Sequence, residues 1–247
     1  MGYPLANRVI VITGAGRGLG KILAQHFSSL DAKLGLIARN HTQLETIQRE
    51  LPEESISVSC DVTNEDEIVD GFNLIYEKFG HIDSVVANAG GLRAAHRAEK
   101  FPAEKWREVV ELNLTGAYLT ARTAYNYLRA SYSGRMVFVS SAAVKAPPRG
   151  SSAYVAAKAG VEGLTKALGV EWADDNILVN TLVPGFMNDG EAIQINDKTT
   201  DRIINRTAIR RPGNVSDLAT AAAFLAGDSC GYITGQSLSV DGGYGLA

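Results

Sequence analysis

The sequence predicts an α/β fold in which one doubly wound parallel sheet of about seven strands is covered by helices on both faces. Three observations predict it. Strand-like and helix-like runs alternate along the whole chain, which is the pattern of parallel sheets. The first strand-like run leads directly into a glycine-rich turn and then a helical segment. The chain has 247 residues, of which 45% are hydrophobic, enough for one large core. We therefore predict a single domain over residues 1–247.

The predicted strands are short, apolar and rich in β-branched residues, as strands buried on both faces are. They span residues 8–13, 33–38, 55–60, 83–87, 134–140, 177–183 and 236–240. Helical periodicity fills residues 18–30, 41–51, 64–79, 102–132, 152–174 and 215–227. Asn64, which precedes three acidic residues, is a predicted N-cap, and Asn214 and Ser216 are candidate starts of the last helix. Residues 186–211 have the least regular pattern.

Composition argues against several classes of protein. The formal net charge is −3 and no basic run occurs, so nucleic acid is not an expected partner. No apolar run approaches the roughly 20 residues of a membrane span, and the N-terminus has no signal-peptide pattern. Cys60 and Cys230 are too few for a disulfide framework, and Cys60, which ends a strand-like run, is expected to be a buried thiol. We expect a soluble cytoplasmic protein without a metal site.

The glycine-rich turn predicts nucleotide binding. A buried-strand pattern at residues 8–12 is followed by Thr13-Gly14-Ala15-Gly16-Arg17-Gly18-Leu19-Gly20 and then by a helical segment. This arrangement brings backbone N–H groups and a helix N-terminus up to a pyrophosphate. Glycine is required because side chains would block the phosphates and the packing of helix on strand. A plain tight turn is the alternative interpretation.

A tyrosine and a lysine carry the candidate chemistry. Tyr154 and Lys158 are four residues apart in a helix-favouring segment, so they share one helix face, and Ser141 lies thirteen residues before the tyrosine. An ammonium held near a phenol stabilises the phenolate and lowers its pKa from about 10. A serine hydroxyl from another segment could bond the same substrate oxygen. Taken alone, a tyrosine and a lysine at this spacing are more often packing and solvation.

In these features the chain resembles the short-chain dehydrogenase/reductase family over nearly its whole length. Its glycine pattern, Thr-Gly-x-x-x-Gly-x-Gly, has the family's spacing and differs from the Gly-x-Gly-x-x-Gly of other dinucleotide folds. Further motifs follow in the family's order: Asp61-Val62, Asn88-Ala89-Gly90, Asn113, Ser141, Tyr154, Lys158, Pro184-Gly185, Tyr232-Ile233-Thr234-Gly235-Gln236 and Val240-Asp241-Gly242-Gly243.

The resemblance implies a Rossmann fold and a reversible hydride transfer between a nicotinamide cofactor and a carbonyl or secondary alcohol. Tyr154 is the implied acid/base, while Lys158 lowers its pKa and holds the nicotinamide ribose. Ser141 steadies the substrate oxygen, and Asn113 supports a proton relay. Ser140 is the rival of Ser141, but only Ser141 has the family's spacing to Tyr154. The implied cofactor-binding residues are Gly14, Gly16, Arg17, Gly18, Leu19, Gly20, Arg39, Asp61, Val62, Asn88, Ala89, Gly90, Tyr154, Lys158, Pro184, Gly185 and Met187.

The resemblance also bears on the irregular segment and on assembly. In relatives the stretch corresponding to residues 186–211 is a mobile lid over the substrate. Relatives mostly assemble as tetramers through the long helices that correspond to 102–132 and 152–174, so a homotetramer, or a homodimer, is expected. Tyr118, Tyr125, Leu128, Val161 and Leu164 offer apolar surface on these helices unless they face the sheet.

The end of the second strand favours NADP over NAD. In NAD-using relatives an acidic residue ends this strand and accepts the ribose hydroxyls, but here Ala38 takes that place and Arg39 follows. A guanidinium can fork onto a phosphate dianion, and Arg17 in the glycine turn adds a second positive charge. Two solvated surface arginines are the alternative.

One position departs from the family's pattern. Where relatives carry a threonine that binds the nicotinamide carboxamide, this chain has Asp189, which accepts a hydrogen bond but cannot donate one. Asn188 takes the role if the loop is shifted by one residue.

Three functions remain open, and the leading one is an NADP-dependent reductase of a ketone, an aldehyde or a sugar-like carbonyl. Lys145, Arg149, Arg93, Arg97 and His96 surround the predicted substrate mouth and favour an anionic or polyhydroxylated substrate, unless they form a solvated rim.

The second function is a 3-oxoacyl reductase acting on a carrier protein or coenzyme A. Tyr132 and Asp175 stand where carrier-binding relatives present arginines, although Arg129 and Arg135 are near enough to compensate. The third is a non-catalytic nucleotide sensor, which usually lacks the tyrosine or the lysine that this chain retains.

Overall fold

The computed structural model describes residues 5–52, 54–188 and 197–246. Within them, seven parallel strands form one sheet in the order β3-β2-β1-β4-β5-β6-β9. A separate two-stranded pair, β7 and β8, was not predicted and lies at the ends of the irregular segment. The strands are β1 Val9–Thr13, β2 Lys33–Ala38, β3 Ser55–Ser59, β4 Ser84–Ala87, β5 Gly134–Val139, β6 Ile177–Pro184, β7 Met187–Asn188, β8 Gly213–Asn214 and β9 Ser237–Val240.

Most helices follow the predicted segments closely, whereas α7 lies in the irregular segment and was not predicted. They are α1 Gly18–Ser28, α2 His41–Glu50, α3 Glu65–Phe79, α4 Ala103–Val110, α5 Gly116–Ala130, α6 Ser152–Glu171, α7 Asp197–Asn205 and α8 Val215–Ala226. Two predicted starts are confirmed, because the Asn64 side chain accepts hydrogen bonds from the first turn of α3 and Asn214 forms a capping box with Asp217. The doubly wound fold class is therefore confirmed.

The predicted continuous helix over residues 102–132 is wrong in one place. Helices α4 and α5 are separated by a π-helical turn, Glu111–Thr115, in which each backbone hydrogen bond spans one residue more than in an α-helix. Asn113 lies in this turn and is completely buried. The extra residue per turn changes the direction of its side chain relative to a straight helix.

Two apolar layers cover the two faces of the sheet. Helices α1 and α8 pack together on one face, and α3, α5 and α6 lie on the other. Strand order reverses between β1 and β4, so the chain segments that follow these two strands run to opposite faces of the sheet and leave a crevice outside the carboxyl ends. Ligands of open α/β sheets bind in such crevices, and the glycine-rich turn and the segment after β4 both begin there.

The opposite, amino edge of the sheet is closed by a buried polar cluster around Arg8, which is 7% exposed. The Arg8 guanidinium donates to the hydroxyls of Ser84 and Ser133 and pairs with Asp228 just after α8. Burial raises the pKa of Asp228, but the Ser133 hydrogen bond and the Arg8 charge outweigh it, so its pKa lies below the ordinary value. Arg135, also buried, donates to the Gly227 carbonyl. These contacts tie the starts of β1, β4 and β5 to the end of α8.

The surfaces of the long helices differ in part from expectation. Leu128 and Val161 are buried against the sheet, whereas Tyr118 on α5 is 44% exposed and Val170 on α6 is 80% exposed.

In the described residues, no helix has the length and apolar character needed to cross a membrane. Cys60 is buried as predicted.

Candidate active site

A cavity of about 830 Å³ opens at the carboxyl edge of the sheet. It is bordered by the residues that follow β4, β5 and β6 and by α6, so segments far apart in sequence converge there. The predicted site residues that line it are Leu19, Asn88, Gly90, Ser141, Tyr154, Lys158, Pro184, Gly185 and Met187. The other predicted residues lie in the same turns or on neighbouring segments, as described below.

Ser141 and Tyr154 both line the cavity, and the Ser141 hydroxyl is near enough to the Tyr154 phenol to influence its pKa. The Ser141 hydroxyl also accepts a hydrogen bond from the Ala143 backbone N–H at 3.2 Å, which fixes its position after β5. Burial raises the pKa of the Tyr154 phenol above its ordinary value, and the nearby Ser141 hydroxyl opposes this only in part. Tyr154 is therefore protonated at neutral pH.

Lys158 is buried in the wall of the cavity, with 4% of its surface exposed. Its Nζ donates to the Val139 carbonyl at 2.7 Å and lies 5.9 Å from the centre of the Tyr154 ring. Burial lowers its pKa to about 8. The expected lowering of the Tyr154 pKa by Lys158 is not found. Lys158 is bonded to a backbone carbonyl and burial lowers its own pKa, so the burial of the phenol has the larger effect on the Tyr154 pKa.

Asn113 holds the segment after β4 against the π-helical turn. Its Oδ1 accepts from the Gly91 N–H at 2.9 Å, and its Nδ2 donates to the carbonyls of Gly91 at 3.1 Å and Val109 at 2.9 Å. A methyl group on Gly90 would come within 2.6 Å of Asn113 Oδ1 and 3.2 Å of Lys158 Nζ. Gly90 therefore lets Asn113 and Lys158 approach the same stretch of backbone.

The neighbouring Ser140 is engaged elsewhere. Its hydroxyl donates to Glu162 Oε1 at 2.7 Å, across to α6, although Ser140 also borders the cavity. Because the Ser140 hydroxyl is bonded to Glu162 and the Ser141 hydroxyl is the one near the Tyr154 phenol, the geometry favours Ser141 as the substrate-facing serine.

The glycine-rich turn has the shape that a pyrophosphate requires. Gly14 has φ +68°, and a Cβ there would lie 2.8 Å from the Ala89 Cα; a Cβ on Gly20 would lie 2.1 Å from the Gly14 carbonyl oxygen. Asn88 Nδ2 donates to the Thr13 carbonyl at 3.0 Å, so Asn88 braces the turn. Arg17 is the exposed N-cap of α1 and makes no side-chain cap bond, which leaves the N–H groups of this helix end directed at a ligand. These residues fit the diphosphate of a dinucleotide.

The ribose end of this turn contains no acidic side chain at the end of β2. Gly16 lies against Ala38 and Gln43, since a Cβ on Gly16 would be 3.4 Å from the Ala38 Cβ. Arg39 Nη1 is 3.6 Å from Asp61 Oδ2, and its side chain is 59% exposed. Burial raises the pKa of Asp61, but hydrogen bonds from Thr63 and the Arg39 charge outweigh it and lower the pKa overall. Val62 is buried beside Gly116.

Arg202, Arg206 and Tyr244 are among the cavity residues that were not predicted as site residues. Among the cations expected at the substrate mouth, Arg149 lines the cavity, whereas Arg97 pairs with Glu99 at 2.8 Å. The spacing of Arg202 and Arg206, four residues apart in the irregular segment, was the available signal. Asp189 lies outside the described residues, as does the side chain of Asn188.

The chain is similar to known oxidoreductases over its whole length. A family model described as enoyl-(acyl carrier protein) reductase matches residues 14–245. Cis-4-hydroxycyclohexanecarboxylate dehydrogenase of Sinomonas cyclohexanicum is 33% identical over 246 residues, covering 99% of this chain and 99% of that protein. The 3-oxoacyl-[acyl-carrier-protein] reductase FabG of Vibrio cholerae is 31% identical over 239 residues, covering 97% and 98%. The solved structure of levodione reductase has a TM-score of 0.92 and 28% identity, covering 98% and 99%.

Proposed function

The chain belongs to the short-chain dehydrogenase/reductase family of oxidoreductases, and we propose that it interconverts a ketone or aldehyde and its alcohol with NADP as cofactor and Tyr154 as the acid/base. The observation that carries this proposal is the meeting of Ser141, Tyr154 and Lys158 in one cavity beside a glycine turn shaped for a dinucleotide. Members of this family use a nicotinamide cofactor, which supplies or accepts a hydride at the substrate carbon.

In the reductive direction the substrate oxygen lies between the hydroxyls of Ser141 and Tyr154. As the new C–H bond forms, the carbonyl π electrons move to oxygen, and Tyr154 transfers its phenolic proton there. The raised pKa of Tyr154 suits it to donate a proton at neutral pH. Lys158 borders the same cavity and is held in place by the Val139 carbonyl, so we assign it to binding the nicotinamide ribose of the cofactor. Oxidation reverses each transfer.

The test is turnover of NADPH with a panel of ketones, aldehydes, sugar acids and acetoacetyl thioesters, run in parallel with Tyr154→Phe. We expect wild-type turnover of at least one class and a loss of about 10²–10⁴-fold in the variant, the usual contribution of a general acid. Tyr154→Phe should bind NADPH as tightly as wild type. Full activity in Tyr154→Phe would refute the assigned acid. NADPH binding without any turnover would favour the sensor alternative.

The preference for NADP rests on Arg17 and Arg39 and on the absence of an acid at Ala38. The Arg39 side chain is 59% exposed and its Nη1 lies 3.6 Å from Asp61 Oδ2, so its remaining N–H donors can fork onto a 2′-phosphate. We expect NADPH to bind more tightly than NADH. Arg39→Ala should weaken NADPH by about 10–100-fold, as a charge-assisted contact of ~1.5–3 kcal/mol implies, and leave NADH unchanged. Equal dissociation constants in the wild type would contradict the proposal.

A 3-oxoacyl-thioester reductase is the second candidate, since the Vibrio cholerae relative carries that name. Two observations weigh against a carrier protein as partner. Arg135, expected to compensate for the missing arginines, is 4% exposed and bonded to backbone carbonyls, so it cannot contact a partner. Arg129 pairs with Asp175 at 3.0 Å, and Asp175 also accepts from the Tyr125 hydroxyl. Turnover of acetoacetyl thioesters in preference to free ketones would establish this candidate instead.

The name of the Sinomonas cyclohexanicum relative makes a ring-borne carbonyl the first substrate class to examine. The cavity suits such a body, because Leu92, Ala143, Phe186, Ile203 and Val215 form an apolar part of its wall. We include 4-oxocyclohexanecarboxylate and 4-methylcyclohexanone in the panel for this reason.

A homotetramer, or a homodimer, is the assembly we propose. The supporting observation is exposed apolar surface on three elements: Tyr118 on α5, Val170 on α6 and Leu238 on the edge strand β9, with exposed fractions of 44%, 80% and 37%. Static light scattering at micromolar concentration tests it, and a monomeric mass would refute it.

A further inference from the structure

Three arginines of the cavity wall have no acidic partner among the described residues. Arg149 lies in the loop before α6, Arg202 lies on α7, and Arg206 lies in the turn that follows α7. Other arginines of the chain pair with aspartate or glutamate within 4.0 Å, including Arg39 and Arg129. The described ranges offer no such pair to the three cavity arginines; Arg149 and Arg202 are exposed, and Arg206 is half-buried.

Arg206 has the most described contacts of the three. It is half-buried, and its guanidinium carbon lies 5.2 Å from the centre of the Tyr244 ring, which also lines the cavity. Its backbone carbonyl accepts from the Gly245 N–H at 2.8 Å, so the C-terminal loop holds this turn in place. Stacking on a ring uses the face of a guanidinium and leaves its in-plane N–H donors available.

Arg202 and Arg206 act from the same side of the cavity. They are four residues apart, and the backbone N–H of Arg206 bonds to the Ile203 carbonyl at 3.1 Å, so the helical turn continues past the end of α7. Both arginines line the cavity, and a guanidinium recognises a planar carboxylate bidentately.

We propose that Arg206, supported by Arg202 and Arg149, binds a carboxylate of the substrate, so that the substrate is an oxo or hydroxy carboxylic acid with an apolar body. This inference rests on the proposed reductase function. The carbonyl lies at Ser141 and Tyr154, the carbon body contacts Leu92, Phe186 and Ile203, and the carboxylate lies at the arginines. Arg206 thus acts as a specificity-determining residue and takes no part in hydride or proton transfer.

The experiment compares matched acids and neutral ketones in wild type and in Arg206→Ala. The substrates are 4-oxocyclohexanecarboxylate against its methyl ester and 4-methylcyclohexanone, and 5-oxohexanoate against 2-hexanone. We expect wild type to prefer the acids and Arg206→Ala to lose about 10–100-fold in kcat/KM on the acids alone, the loss of one bidentate charged contact. Arg206→Lys should recover part of this through charge. Arg49→Ala removes the same charge from an exposed position on α2, outside the cavity wall, and should behave as wild type.

A second measurement does not depend on turnover. NADPH-saturated protein is titrated with cyclohexanecarboxylate and with cyclohexylmethanol by calorimetry. Binding of the acid in wild type and its loss in Arg206→Ala supports the carboxylate site even if none of the ketones is reduced, which separates this inference from the proposed function. Three results overturn the inference: no binding of the acid, equal turnover of acids and neutral ketones, or an Arg206→Ala defect confined to NADPH affinity, which would assign the arginine to a cofactor phosphate.

Discussion

Replacing Gly90 with alanine perturbs Asn113 and Lys158 together without touching either side chain chemically. Gly90 has no left-handed backbone conformation, so alanine is permitted by the backbone. The added methyl would lie 2.6 Å from Asn113 Oδ1, where 3.4 Å is an ordinary contact. The carboxamide must therefore retreat by about 0.8 Å, which stretches its 2.9 Å bond from the Gly91 N–H beyond hydrogen-bonding distance.

The magnitude follows from that lost bond. A buried hydrogen-bond group left unsatisfied costs ~1–3 kcal/mol, so the melting temperature should fall by about 2–12 °C for a chain of this size. The methyl also lies 3.2 Å from Lys158 Nζ, and a displacement of about 1 Å at a reacting site costs up to ~10²-fold in rate. We expect kcat to fall by about 10–100-fold while the NADPH dissociation constant changes little.

The assay combines steady-state kinetics, NADPH titration and thermal unfolding. Gly231→Ala is the matched control, because a Cβ at this exposed glycine meets nothing within 4 Å and the change should leave kcat unaltered. In an Asn113→Ala background the Gly90→Ala change should cost less, since the atom it meets is gone. If Gly90→Ala keeps the wild-type kcat and melting temperature, the contact argument is wrong.

Three further predictions concern titration and thiols. Because burial raises the pKa of Tyr154, kcat/KM for reduction should be flat through neutral pH and fall only in alkaline solution. The kcat/KM for alcohol oxidation should rise with pH. A reductive kcat/KM that increases above neutrality would contradict the assigned acid. The pKa of Lys158 is about 8 in the folded protein and 10.5 in the unfolded chain. Between these pH values the unfolded chain binds more protons, so the free energy of unfolding should rise with pH. Denaturant titrations at several pH values should show this rise in wild type and not in Lys158→Met. Burial raises the pKa of the Cys60 thiol to about 12, so a thiol reagent should label Cys60 only after unfolding. Rapid labelling of Cys60 in the native protein would contradict this and show that the end of β3 opens.

The parts of the site that the sequence predicted are those whose geometry is local. Tyr154 and Lys158 are placed by one helix, and Gly14 and Gly20 by one turn, so residue spacing alone determines their relative positions. The strand and helix bounds were predicted within one or two residues in most elements for the same reason: period and capping residues such as Asn64 act over a single turn.

The parts that it missed depend on contacts between distant segments. The sequence of the π-helical turn Glu111–Thr115 has the same apolar period as a straight helix, so the pattern alone predicts a continuous helix. The side chain of Asn113 in this turn bonds to Gly91, a contact between segments that the pattern does not show. The sequence suggests that Arg135 is an available cation, but in the structure its Nε donates to the Gly227 carbonyl. The cavity position of Arg206 depends on Tyr244 from the far end of the chain.

The Arg8 cluster has a consequence for how this fold tolerates change. It fastens the starts of three strands to the end of α8 at the edge of the sheet remote from the cavity. Stability that is anchored there does not depend on the loops that follow the strands. A protein engineer could therefore exchange the segment between β6 and α8, which carries Arg202 and Arg206, for one with a different charge, and select a new substrate range while the frame that holds Tyr154 and Lys158 stays intact.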